Sequence, residues 1–143
     1  MIKGRLLHPE ILAALARAGH GSTVLISDGN FPHDTAPAAR AARVYLNLSP
    51  GRLTVSEVLA AVVSAIPIER ATLMSPEDPT AAEPAAHAEL LALLPADIVA
   101  ERLPRNAFYE ATRAATLALV VATADQRPYA NLILTIGVIF PTD

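Results

Sequence analysis

Cysteine is absent from the 143 residues, which excludes disulfides, thiolate catalysis and cysteine-ligated zinc. Charged side chains make up only 17%, and a net charge of −3 offers no basic surface to nucleic acid or an acidic membrane. No apolar run reaches the length of about 18 residues that a membrane-spanning helix needs. Met1-Ile2-Lys3-Gly4-Arg5 leads into polar His8-Pro9-Glu10, without the apolar block and small-residue cleavage site of a secretory signal. A cytoplasmic location is expected. Four sequence signatures are also missing: HExxH, GxGxxG, GxxxxGK(S/T) and GxSxG. Histidines do not cluster with carboxylates at metal-ligand spacing either. No metal or cofactor is therefore expected.

What is present is apolar. Hydrophobic residues reach 52%, in a chain long enough for one cored domain, residues 1–143, and too short for two. So little polar material hardly covers an isolated sphere of this size, which favours self-association; alanine, indifferent to burial, accounts for part of the excess.

His8-Pro9-Glu10 opens a helix with Ile11, Leu12 and Leu15 on its apolar stripe, and Gly19 is the expected stop. Thr23 to Ser27 reads as a buried strand, followed by a loop to Arg43 and a short strand over Val44–Leu48. Thr54-Val55-Ser56-Glu57 is a capping box. Its helix sets Val55, Val58, Leu59, Val62, Val63 and Ile66 on one face. Further elements are a strand over Ala71–Met74, a helix from Pro84 through Leu94 and an edge strand over Asp97–Ala100. A helix over Asn106–Ala115 and strands over Leu117–Ala122 and Ala130–Val138 complete the pattern. Strands alternating with helices predict a single three-layer α/β/α domain with a mostly parallel central sheet.

A few residues fit this frame poorly. His20 stands between Gly19 and Gly21, where it has no neighbours to pack on and does not serve a core. An imidazole titrates near neutrality and can give and recover a proton within one turnover. Asp28 ends the apolar run Val24-Leu25-Ile26, where α/β folds meet ligands; it caps its own loop as an Asx-turn residue or accepts hydrogen bonds from sugar hydroxyls. Arg105 opens a helix at the end a cation disfavours, so it either faces solvent or meets a polar partner. Asn131, beside Tyr129, is the polar residue of an otherwise apolar strand. Its amide either ties off the preceding turn or grips hydroxyls with the phenol. His33 and Asp34 follow Asp28 as candidates for a site entrance. His8 is expected at a helix start and His87 exposed on a helix.

Four segments in sequence, Leu15–Gly21, Ser27–Pro32, Arg105–Glu110 and Pro128–Val138, resemble the ribose pyranase and fucose mutarotase family over nearly the whole chain. The resemblance implies an α/β/α isomerase, a homo-oligomer such as a decamer, that interconverts anomers or ring forms of a free monosaccharide. It further implies that His20 is the acid/base residue and that Asp28, Arg105, Tyr129 and Asn131 hold the sugar. Arg105 with Ala107-Phe108-Tyr109-Glu110 resembles the fucose branch; Pro128-Tyr129-Ala130-Asn131 resembles the ribose branch, and Asn30 departs from the fucose pattern.

An extended run from Thr23 to Asp28 covers roughly 17 Å at about 3.3 Å per residue, more than a pyranose spans. His20 and Asp28 of one chain are therefore expected to serve different sugars, with each site assembled between subunits. Two rivals remain: a non-catalytic monosaccharide-binding or sugar-transport-associated protein, and a scaffold with no small-molecule site.

Overall fold

Val24, Leu25 and Ile26 are wholly buried in β1 (Thr23–Ser27) because strands flank this run on both sides. The computed structural model describes residues 1–142; Asp143, the last residue of the expected domain, lies outside them. Among the described residues, α1 (Pro9–Arg17) precedes β1, and β2 (Ala42–Tyr45), α2 (Val55–Val63) and β3 (Ile68–Ser75) follow. The chain continues through α3 (His87–Leu93), β4 (Glu101–Pro104), α4 (Arg105–Thr112), β5 (Leu117–Ala122) and β6 (Leu132–Ile136). The strands form one sheet in the order β2-β5-β1-β6-β3-β4. Only β6 runs against the others, pairing antiparallel with β1 and β3. The fold is α/β with a mostly parallel sheet.

Strand alternation divides the apolar residues into two cores. Val24, Ile26, Leu119 and Val121 face α1, α2 and α3. Leu25, Val120 and Ile133 face the other way, against Phe108 of α4 and against Phe31, Ala36 and Ala41 of the long loop after β1. Thr54 and Glu57 form the expected capping box. Among the described residues no helix is long and apolar enough to cross a membrane.

Several boundaries differ from expectation; β3 reaches back to Ile68, and the helix expected over Asn106–Ala115 is α4, which starts at Arg105 and stops at Thr112. Helix α1 ends at Arg17 with Ala18 already extended, and the left-handed residue that turns the chain is Gly21 (φ 79°), not Gly19. Strand β2 starts two residues early and includes Arg43, whose guanidinium turns back to the carbonyls of His33, Asp34, Pro37, Ala38, Ala39 and Ala41. Helix α3 starts three residues late, at His87. The edge strand lies at Glu101–Pro104, not at 97–100, because its single neighbour β3 fixes it by register, Thr72 opposite Glu101 and Ser75 opposite Pro104. Strand β6 is confined to Leu132–Ile136, all paired with β3 and, up to Thr135, with β1 as well.

Candidate functional site

The parallel strands β1, β3 and β4 all end at one edge of the sheet, and antiparallel β6 begins there. That places Asp28, Met74, Arg105 and Asn131 at the same end of the molecule. This edge is the usual place for ligands in open α/β sheets. Asp28 is 2% exposed, and its main-chain N–H donates to Asn131 Oδ1 at 2.8 Å. Asn131 Nδ2 returns a hydrogen bond to Asp28 Oδ2 at 2.8 Å. Asp28 Oδ1 accepts from the Asn30 N–H at 2.9 Å, which closes an Asx turn. The Asx-turn reading of Asp28 therefore holds, and the carboxylate keeps lone pairs beyond these contacts. Asn131 does not tie off the turn before it; its amide pairs across the sheet edge with Asp28.

Burial pushes the Asp28 carboxyl above its ordinary value, and the nearby Asp125 adds to this. Hydrogen bonds from Asn30, Asn131 and Phe31 pull the other way without offsetting it. A cavity of about 160 Å³ opens beside the pair, lined by Asp28, Asn30, Phe31, Met74, Tyr109 and Tyr129 among others. It falls short of the roughly 300–1,000 Å³ of an ordinary small-molecule pocket. Tyr109 packs edge-on to Phe31 with ring centroids 5.4 Å apart. Arg105 is exposed, precedes Tyr109 by one helical turn and does not line the cavity.

His33 supports this edge from behind. Its Nε2–H donates to the Asp28 carbonyl at 2.9 Å, its ring packs on Phe31, and burial lowers its pKa. Asp34 lies out in solvent and accepts from Tyr45 Oη. Neither lines the cavity.

His20 is at the opposite end of the sheet. The Gly21 N–H donates to the carbonyl of Ile136, the last residue of β6, so the His20 loop is pinned where β1 starts and β6 ends. His20 lines a second cavity of about 580 Å³ with Arg17, Ser22, Arg40 and Thr116. Its Nε2 lies 2.6 Å from Glu69 Oε2, with both side chains half-exposed. Within one chain, then, Asp28, Tyr129 and Asn131 share a cavity, and His20 does not join them.

Three contributions escaped the sequence. Glu69, on an exposed stretch of β3, carries no motif and is found only by its contact with His20. Asp125 and Arg127 anchor the turn before β6: the Asp125 carboxylate accepts from Val55 N–H and from the Arg127 guanidinium, which also reaches Ser56 and Glu89. Their spacing of two was a signal only of a turn. His87 is 0% exposed, which corrects the expectation of an exposed helical residue; the polar atoms around its ring make that burial possible. Among the described residues, no group of three or more His, Asp or Glu is placed to hold a metal ion.

Comparison with known proteins places this architecture. The RbsD / FucU transport protein family matches residues 1–139. A D-ribose pyranase from Paracidovorax citrulli is 36% identical over 140 residues, covering 98% of this chain and all of the relative. Among solved structures, FucU from Bifidobacterium longum is 33% identical with a TM-score of 0.75, covering 93% of this chain and 95% of its own. Bacillus subtilis RbsD complexed with D-ribose is 25% identical with a TM-score of 0.81, covering 98% of this chain and all of its own.

Proposed function

The chain belongs to the RbsD / FucU transport protein family, and from that premise we propose that it is an isomerase, a mutarotase or pyranase acting on a free ribose-like or fucose-like monosaccharide. The observation that carries this is the buried Asp28–Asn131 pair, a preorganised set of hydroxyl acceptors and donors beside the phenols of Tyr109 and Tyr129. The residues fit hemiacetal opening. The anomeric O–H gives up its proton as the bond from C1 to the ring oxygen breaks, and the ring oxygen takes up a proton. Rotation about C1–C2 presents the other face of the aldehyde. Closure through the same hydroxyl exchanges anomers, and closure through a different one exchanges ring size.

His20 is the proton carrier. With Nε2 on Glu69, Nδ1 is the ring nitrogen left to meet the sugar. Asp28, Tyr129 and Asn131 hold hydroxyls, and Arg105, exposed at the start of α4 at the same end of the sheet, joins them by the resemblance. The protein works in the cytoplasm as a homo-oligomer, decameric by the resemblance, with His20 of one subunit facing the Asp28 cavity of a neighbour. Two observations support the sharing: the undersized cavity, and apolar side chains left in solvent, including Leu48 (87% exposed), Val99 (90%) and Phe140 (78%).

Exchange NMR on ribose, fucose, galactose and glucose tests the function. Magnetisation transfer between ring forms of ribose or fucose is expected to accelerate with added protein. Binding without acceleration of any sugar would establish the non-catalytic reading instead.

The pH dependence of affinity follows from Asp28. A protonated carboxyl is a poorer acceptor for hydroxyls, so sugar affinity is expected to fall on acidification, beginning above the ordinary carboxylate range. Stability moves the other way. A folded-state pKa above the unfolded one gives a contribution that is complete below the unfolded value and lost as pH rises through the folded value. NMR titrations of sugar at several pH values check this, with Asp28→Asn expected to lack the acid limb. A parent affinity that stays flat across that range would show that the carboxylate does not hold the sugar.

A further inference from the structure

The His87 ring is wholly buried at the first position of α3, amid alanines and leucines, and the chemistry proposed above does not use it. Its two nitrogens have different partners. Nδ1 lies 3.0 Å from Glu83 Oε1, and Nε2 lies 3.3 Å from the main-chain oxygen of Tyr129. A main-chain carbonyl only accepts, so the contact with Tyr129 uses a ring N–H, and that Nε2–H is the one that touches the turn. Arg102 of β4 donates twice to the same Glu83 oxygen, at 2.7 and 3.1 Å, fixing the carboxylate that orients the imidazole.

The residue so held has an unusual backbone. Tyr129 has φ +63°, the left-handed conformation that a bulky residue disfavours and keeps only when its surroundings impose it. Its side chain lines the Asp28 cavity, and two residues later Asn131 pairs with Asp28. The same short helix grips the turn a second time, through Glu89 and Arg127. Helix α3 is thus a template on which the turn is laid. His87 supplies the contact at the strained residue itself.

We propose that His87 is a positioning residue for the sugar site, its Nε2–H holding the Tyr129 carbonyl and with it the left-handed turn that presents Tyr129 and Asn131 to the ligand. This rests on the sugar site proposed above. Two amide substitutions separate its two contacts. In His87→Gln the side-chain nitrogen ends near the place of Nε2 and can still donate to Tyr129; in His87→Asn it ends near Nδ1 and reaches only Glu83. His87→Gln is expected to keep the parent's KM for the accelerated sugar within about threefold, whereas His87→Asn raises it about tenfold, the scale of one lost hydrogen bond. The turnover number changes little in either, because neither substitution alters the proton carrier, which a neighbouring subunit supplies.

The backbone carbon shifts of Tyr129 in labelled protein give a readout independent of catalysis. They are expected to report a left-handed residue in the parent and in His87→Gln, and its loss in His87→Asn. Equal KM values for the two variants, or a left-handed Tyr129 in both, would overturn the inference. Where His87→Asn does not fold, a Tyr129 that leaves the left-handed region in His87→Gln overturns it and one that stays supports it. A parent that accelerates no sugar defeats the proposed function, and the Tyr129 shifts still decide the role of His87.

Discussion

His20→Ala is expected to lose acceleration of sugar ring-form exchange by about a hundredfold or more, the usual contribution of a positioned general acid–base. Sugar affinity should survive, because the groups proposed to hold hydroxyls are built at the other end of the sheet and share no contact with the imidazole. Asp28 is locked by Asn30 and Asn131, and neither partner depends on the His20 loop. The loop itself is pinned by main-chain bonds, the Gly21 N–H donating to the Ile136 carbonyl and the Ile136 N–H to the Ser22 carbonyl, which an alanine at position 20 leaves in place. Loss of activity in a folded, sugar-binding variant would therefore isolate the proton transfer. Added imidazole offers a second readout, since the residue is exposed: partial recovery in His20→Ala, and none in Asp28→Ala, is expected. A His20→Ala protein as fast as the parent would remove His20 from the mechanism and leave Glu69 without a function at that site.

The sheet was largely legible because its central strands carry continuous buried runs. Thr23–Ser27 and Leu117–Ala122 were bounded correctly by residues that end strands, Asp28 among them, and the Thr54–Glu57 box marked α2. The edges were obscured. Strand β4 exposes Glu101, Arg102 and Pro104, so it has no apolar pattern to read, and only pairing with β3 makes it a strand. Arg43 looked like the end of a loop because nothing in its sequence shows a guanidinium folding back onto loop carbonyls. Alternation of strand and helix does not announce the reversal of β6, which enters from a turn and inserts between β1 and β3.

The site divides in the same way. Asp28 and Asn131 stood out singly, as polar residues against apolar strands, but their mutual pairing joins positions 103 apart and follows only from strand order. His87 carried no signal, since burial of an imidazole depends on a carboxylate and a carbonyl that arrive from elsewhere in the fold. Its burial also shows why an alanine-rich helix with a single histidine reads as a surface element when the strands it covers are unknown.

Mixing two inactive variants gives the sharpest consequence of the separation between His20 and Asp28. Suppose each site takes its imidazole from one subunit and its carboxylate from the next. A mixed oligomer of His20→Ala and Asp28→Ala then contains sites whose two contributing chains are each intact at the position that matters. Random assembly of equal amounts makes about one site in four of this kind, the product of two even chances, so activity should return to about a quarter of the parent value. Neither variant alone should show it. The recovery must follow subunit exchange, appearing after the two proteins are unfolded and refolded together and not on brief mixing of preformed oligomers. If both groups instead served one sugar within one chain, every subunit in the mixture would lack one of them and activity would stay at the level of the single variants. The monomer geometry argues for recovery: β1 separates the two positions along its whole length, each faces its own cavity, and the one beside Asp28 is too small to enclose a ligand without a wall from elsewhere. Mixed oligomers verified by mass spectrometry that stay inactive would rule out a shared site and require His20 to act at a place other than the Asp28 cavity.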